Sequence, residues 1–137
     1  MAAIATITVP DAAGTPVNHN FVPSRIEGDT ASYVEQSATS STGFWPLTVT
    51  QRAPLTGQKD RVFRTKINLA IPRVVQETIN GVMKPSVVRT AFAEVHLSFG
   101  NESTLQERKN LVGMVYSALA PNQTMINSVI TNLENVY

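Results

Sequence analysis

The stretch that decides the fold runs from Arg61 to Phe99 and reads RVFRTKINLAIPRVVQETINGVMKPSVVRTAFAEVHLSF. Apolar and polar residues alternate through much of both arms, and successive side chains of a strand point to opposite faces. The arms meet at Asn80-Gly81, a strong signal for a two-residue hairpin turn. We therefore predict two long strands with a mostly apolar odd-numbered face and a polar, basic even-numbered face.

The even-numbered face of this hairpin includes Arg64, Lys66, Asn68, Phe92, Glu94 and His96. A third strand, predicted over residues 44–52, presents Thr48, Thr50 and Arg52 on one side. If the three strands are neighbours, all these side chains project from one sheet surface. The apolar face needs a cover, and the only plausible one is the helical segment after Phe99. The polar face is left free to bind.

The other elements give an α+β order, with strands first and helices last. We predict an N-terminal hairpin (residues 1–22, strands 4–9 and 17–22), a loop at 23–29 and a strand at 30–36. Beyond Phe99 the apolar period changes from two to about 3.6, so a helix starts near Ser103 or Thr104 in one of two overlapping capping boxes. Pro121 ends it, and Asn122 or Thr124 caps a second helix. By length, residues 1–137 form one domain, with the sheet in 30–99 and the helices in 103–137.

Composition narrows the possible functions. The chain has 137 residues, no cysteine and 15% charged residues, a low charge content that hints at assembly. Without thiols there are no disulfides, thiolate metal sites or cysteine nucleophiles. No basic leader and no run of about 18 apolar residues is present, so we expect neither a classical export signal nor a membrane span.

The positive charge is concentrated in the strand region. Residues 52–89 contain eight basic and two acidic residues, a balance of +6, although the whole chain has a net charge of only +1. This layout predicts a localised site for a polyanion.

The sequence lacks the residues that an enzyme's active site would need. Glu94 and His96 share a strand face and could form an acid–base pair, but cross-strand polar contacts on an open face explain them without a cleft or nucleophile. Two histidines and no thiols make a metal site equally unsupported, and the scattered glycines form no phosphate loop. We expect no cofactor.

The even-numbered face has two readings from pattern alone. Threonines, an amide and cations around an aromatic ring suit single-stranded RNA, whose bases stack on rings while cations meet phosphates. The alternative is an ordinary solvated sheet face. Phe92, a large apolar residue among polar ones, favours binding.

The chain resembles the coat proteins of the single-stranded RNA bacteriophages, the leviviruses. The matching residues are Thr48-Val-Thr-Gln-Arg52, the run from Ile71 to Pro85, the strand from Arg89 to Phe99, and Asn135-Val-Tyr137. Before Thr48 only the order of elements agrees. The resemblance implies an N-terminal hairpin, a five-stranded antiparallel sheet and two helices, in an interlocked homodimer with a continuous ten-stranded sheet.

The resemblance also implies function. Dimers would form an icosahedral shell, with T=3 the expected arrangement, whose sheets face the packaged genome. One dimer would bind an RNA hairpin as a translational repressor. The implied location is the virion, assembled in the bacterial cytoplasm.

Carried over by position, the family's adenine pocket falls on Thr48, Thr50, Lys66 and Asn68, with Thr30 as a further member. The stacking aromatic falls on Phe92, a tyrosine in familiar members; the missing hydroxyl removes one polar contact to RNA. Glu94 stands where an amide or another acid is usual, and would repel phosphate unless paired with Arg64 or Lys66. Hairpin specificity is therefore expected to differ.

The inter-strand loop, residues 72–85, is the predicted assembly loop. We expect it to meet its copies around the shell's symmetry axes through Pro72, Val75, Asn80, Gly81 and Pro85, without disulfides.

The alternative function is a free dimeric RNA-binding regulatory module that forms no shell. Such a module has little reason to expose a long apolar loop.

Overall fold

A computed structural model of the chain describes residues 2–57, 59 and 61–137. The first residue of the predicted N-terminal hairpin lies outside the described residues. The described elements are β1 (Ile7–Pro10), β2 (Asn18–Glu27), β3 (Thr30–Glu35), a 3₁₀ turn (Ser41–Gly43), β4 (Trp45–Arg52), β5 (Val62–Ile79), β6 (Val82–Gly100), α1 (Leu105–Ala118) and α2 (Thr124–Thr131). The strands lie in sequence order in one antiparallel sheet. The predicted α+β class is confirmed, but the described sheet has six strands where five were predicted, because β1 of the N-terminal hairpin joins it through β2.

The hairpin of β5 and β6 forms as predicted around its two-residue turn. Asn80 and Gly81 both have positive φ, 52° and 77°, which is the geometry that matches the twist of the flanking strands. The segment 72–85, predicted to be a loop, is instead strand except at this turn. Proline's fixed φ is compatible with extended backbone, so Pro72 and Pro85 do not interrupt the strands. We call residues 72–85 the distal hairpin.

The loop predicted at residues 23–29 was wrong, because β2 continues to Glu27. The first part of β2 pairs with β1 and the second part with β3. The register shifts between Pro23 and Arg25, and such an irregularity accommodates a proline that cannot donate to the ladder. Only Gly28 and Asp29 form the turn, where Gly28 has a φ of 54°.

The core lies on the odd-numbered side of the sheet. Phe21, Tyr33 and Leu47 are buried. Partly buried apolar residues surround them: Ile7, Ala31, Trp45, Val49, Ile67 and Leu69. Leu47 pairs with Leu69 and Val49 with Ile67, so the predicted apolar face of β4 and β5 is confirmed.

The chain divides into two compact units, the second of which is Phe99–Tyr137. Its first helix begins with a complete capping box: Glu107 N–H donates to Thr104 Oγ1 at 3.2 Å, and Thr104 N–H donates to Glu107 Oε2 at 2.6 Å. Of the two predicted boxes, the one at Thr104 is therefore formed. The Ser103 hydroxyl instead accepts a hydrogen bond from Arg108.

The second helix starts differently from the prediction. Its N-cap is Gln123, whose carbonyl accepts from Asn127 N–H at 2.8 Å but whose side chain makes no capping bond. Thr124 is already the first helical residue, so neither Asn122 nor Thr124 is the cap.

Both helices leave their apolar stripes at least partly exposed. Every residue of α1 and α2 is described, and none of them is buried. Val112 is 49% exposed, Tyr116 78% and Ile130 53%. The predictions that helices cover the sheet's apolar face and that the chain is one domain both stay predictions. In the described part of the chain, no helix is long and apolar enough to cross a membrane.

Candidate nucleic-acid interface

The strand registers place the predicted polar residues of β4 and β5 side by side. Thr48 lies opposite Asn68, Thr50 opposite Lys66, and Arg52 opposite Arg64. Directly opposed residues of antiparallel strands share a face, and so do residues two apart on one strand. All six side chains therefore belong to one surface, which we call the polar face.

Strand β6 adds an aromatic ring and a carboxylate to the polar face. A depression of about 190 Å³ is lined by Pro46, Thr48, Asn68, Leu69, Ala70, Phe92, Ala93 and Glu94. Phe92 is 79% exposed, so one ring face is accessible to a flat partner. The sequence prediction that Phe92 lies among the threonine and amide side chains agrees with this geometry.

Asn68 lines the depression and has a side-chain oxygen left unpaired in the described part of the chain. Its Oδ1 is buried and has no hydrogen-bond partner among the described residues. An unpaired buried acceptor costs about 1–3 kcal/mol, and a ligand with an N–H or O–H recovers that energy only when the Asn68 side chain turns to present this oxygen to the depression. A nucleobase edge is such a ligand.

The carboxylate of Glu94 joins two cationic or potentially cationic side chains. Its Oε1 lies 3.2 Å from Lys66 Nζ, and its Oε2 lies 3.3 Å from His96 Nε2. The hydrogen bond from His96, followed by that from Lys66, lowers the pKa of Glu94. The sequence offered Arg64 or Lys66 as the partner of Glu94, and the structure pairs it with Lys66.

Strand β3 extends the polar face beyond the residues that periodicity suggested. Thr30 lies opposite Thr50, with their hydroxyl oxygens 2.9 Å apart, which places Thr30 on the polar face. Ser32 lies opposite Thr48 and was missed by the sequence analysis. Its position two residues after Thr30 on the same strand was the available signal.

The predicted assembly residues all lie on the distal hairpin. Several of its apolar side chains are well exposed, including Val75 at 44%, Val82 at 56% and Met83 at 65%. The base of the hairpin is held closely by the 3₁₀ turn, since a Cβ on Gly43 would lie 3.3 Å from Val74 Cγ2.

Comparison with known proteins gives matches along the whole chain. A family model described as Levivirus coat protein matches residues 2–137. The capsid protein of Pseudomonas phage PRR1 is 31% identical over 136 residues, which span 99% of this chain and 100% of that protein.

Solved structures show the same architecture. The virus-like particle of bacteriophage ESE058 matches with a TM-score of 0.87 and 27% identity, covering 99% of this chain and 100% of that one. The virus-like particle of Beihai levi-like virus 21 matches with a TM-score of 0.80 and 25% identity, covering 99% of each chain. The bacteriophage GA capsid protein matches at 0.77 and 19% identity over 96% of each chain, which shows a shared fold.

Proposed function

Since the chain belongs to the family of levivirus coat proteins, phage capsid proteins found in the virion, we propose that it encloses single-stranded RNA with its polar face turned towards the genome. Its role is structural and not enzymatic. The observation that carries the RNA part is the depression that exposed Phe92 lines together with Thr48 and Asn68. A splayed base stacks on such a ring while its edge forms hydrogen bonds with the polar side chains beside it.

Charge around the depression supports binding of a polyanion. Arg52 and Arg64 lie opposite each other on the polar face, next to the Thr50–Lys66 pair, and both are exposed. Cations in this position meet phosphates, while the uncharged residues contact bases. We further propose that the protein binds one RNA hairpin selectively and that this binding represses translation.

A dimer is proposed as the unit of assembly. Large apolar side chains of both helices are well exposed, among them Tyr116 at 78%, Met125 at 64% and Ile130 at 53%. A second subunit would cover this apolar area of α1 and α2. The interlocked dimer, its continuous sheet and a T=3 shell follow as proposals from family membership.

The decisive experiment is electron microscopy of the purified protein, with hairpin binding measured on protein freed of RNA. Closed shells that contain RNA are expected. A protein that binds hairpin RNA but forms no shell would instead be a free regulatory module. A reporter whose start codon lies in the bound hairpin tests repression, and unchanged expression would contradict it.

The distal hairpin is proposed to join dimers within the shell. Deleting residues 78–82 removes the Asn80–Gly81 turn and the exposed apolar tip around it. We expect this variant to form dimers but no particles, or particles of altered size, by electron microscopy. Particles of unchanged size would exclude the distal hairpin from assembly.

A further inference from the structure

Lys66, Glu94 and His96 form a chain of contacts on the polar face. Glu94 bridges the other two side chains through separate oxygens, at 3.2 Å to Lys66 Nζ and 3.3 Å to His96 Nε2. The three side chains are 40%, 56% and 62% exposed, respectively. Water and ligands reach all three, so an RNA phosphate competes directly with Glu94 for the Lys66 ammonium.

The net charge of this triad depends on one proton. With neutral His96, the charges of Lys66 and Glu94 cancel and the triad is neutral. Imidazole is the side chain whose charge ordinarily changes between about pH 5 and 8. Protonation of His96 gives the triad a charge of +1 and occupies Glu94 with a second cation.

The other charged groups on this face do not change in the same range. From β5 the face presents Arg64 beside Lys66, and from β4 it presents Arg52. Arginine and lysine stay protonated throughout. Among the described residues of these strands, Glu94 is the acid that contacts His96, and its lowered pKa keeps it ionised.

We propose that the Lys66–Glu94–His96 triad makes RNA binding pH-dependent: Glu94 screens Lys66 from phosphate when His96 is neutral, and a protonated His96 relieves that screening. This inference rests on the proposed RNA-binding function. By linkage, RNA binding takes up a proton at His96, so affinity rises as pH falls through the imidazole range. The contact controlled in this way is the one between Lys66 and an RNA phosphate.

The test is the affinity of labelled polyuridylate for RNA-free protein, measured by fluorescence anisotropy between about pH 5.5 and 8 at constant ionic strength. We expect wild-type affinity to rise roughly two- to fivefold towards the acid end, the scale of an exposed ion pair. The salt slope should steepen by up to about 0.7 at the acid end, the value for one more phosphate contact with a single strand.

Substitutions of His96 and Glu94 test whether the triad causes the pH dependence of RNA binding. His96→Gln should abolish the pH dependence, and His96→Arg should bind at the alkaline end as tightly as the wild type binds at the acid end. Glu94→Gln should raise affinity at the alkaline end. The chain's other histidine, His19, contacts Asp11 and Glu35 and not the triad, so His19→Gln is the control and should keep the wild-type pH dependence.

Two outcomes separate this inference from the proposed function. RNA binding with the same affinity at every pH, or a His96→Gln variant with the wild-type pH dependence, would overturn the triad proposal and leave RNA binding intact. Failure of the wild type to bind polyuridylate or a hairpin at any pH would overturn the proposed function itself.

Discussion

Thr48 and Asn68 contribute to the polar face without charge, whereas Arg52 and Arg64 contribute charge at its basic end. We expect Thr48→Ala or Asn68→Ala to reduce discrimination between the preferred hairpin and a single-base variant by roughly 1–3 kcal/mol, as for the loss of a base-edge contact. Phe92→Ala should cost about 1–3 kcal/mol with little change in salt slope, because a stacking platform is lost. Hairpin binding at several salt concentrations measures both quantities.

Arg52→Ala and Arg64→Ala are the contrasting variants for that experiment. Each should weaken all RNAs alike and reduce the salt slope, because fewer counterions are released on binding. If the threonine, asparagine and arginine variants all shift affinity equally for every RNA, the polar face is an electrostatic lining and does not recognise a hairpin.

Asp11 gives a second prediction at the residue scale. Hydrogen bonds from the backbone N–H groups of Val17 at 2.9 Å and Ala13 at 3.1 Å, and then from His19, lower the pKa of its carboxyl. A carboxyl whose pKa is lower in the folded state stabilises the fold above its unfolded pKa of about 4, and this contribution is lost as pH falls through the folded pKa. Asp11→Asn should therefore lower the Tm at neutral pH, and the difference from wild type should narrow below about pH 4.

Thermal unfolding from neutral to acid pH checks this prediction. Glu102→Gln, at an exposed carboxylate in the turn after β6, is the control and should differ little from wild type throughout. A Tm difference for Asp11→Asn that stays constant down to pH values well below 4 would show that its charge contributes nothing.

The sequence predicted correctly which face of the sheet a side chain lies on, but not which neighbouring side chain it contacts. The period of two assigned Thr48, Lys66 and Asn68 to one surface without any knowledge of the fold. It could not choose between Arg64 and Lys66 as the partner of Glu94, because that choice depends on strand register and on the conformations of long side chains. Ser32 was missed because the face of β3 was judged from its apolar residues.

At the scale of elements, Gly43 packs closely against Ala38 and against Val74 of the distal hairpin. A Cβ added there would lie 2.9 Å from Ala38 Cβ, closer than such atoms normally approach. We expect Gly43→Ala to lower the free energy of unfolding by about 1–3 kcal/mol, as for an overpacked core site. Denaturant unfolding measures the change.

Two further variants make the Gly43 prediction specific. Gly14→Ala is the matched control, because a Cβ at Gly14 has no atom within 4 Å. The double variant Gly43→Ala with Ala38→Gly removes the clash and should recover part of the loss. An unaltered free energy of unfolding for Gly43→Ala would mean that Ala38 and Val74 move away from residue 43 at no cost.

Elements were predicted well where one signal dominated and less well where signals competed. Asn80-Gly81 alone determined the β5–β6 turn. Pro23, Pro72 and Pro85 suggested loops, but extended backbone suits proline's φ, and β-prone neighbours carried the strands through these positions. The two capping boxes before α1 were equivalent in sequence, and only the geometry of the first turn distinguished them.

At the scale of the whole molecule, the sequence shows an apolar helical stripe but cannot show what covers it. The structure of one chain leaves Leu111 39% exposed and Val112 49% exposed. Among the described residues, the buried apolar core is limited to Phe21, Tyr33 and Leu47. A core this small cannot easily offset the conformational entropy of a chain of this length, so we expect folding to depend on association.

The dimer can be tested through that stripe. If a second subunit buries it, Leu111→Ala or Val115→Ala should cost on the order of 2–4 kcal/mol and weaken association and folding together, because the interface is then part of the core. Ser117→Ala, at an exposed polar position of α1, is the control and should stay within about 0.5 kcal/mol. Denaturant unfolding at several protein concentrations, with light scattering for mass, measures both effects. A wild-type chain that remains a folded monomer at micromolar concentration would refute obligate dimerisation, and the exposed stripe would then need a different partner.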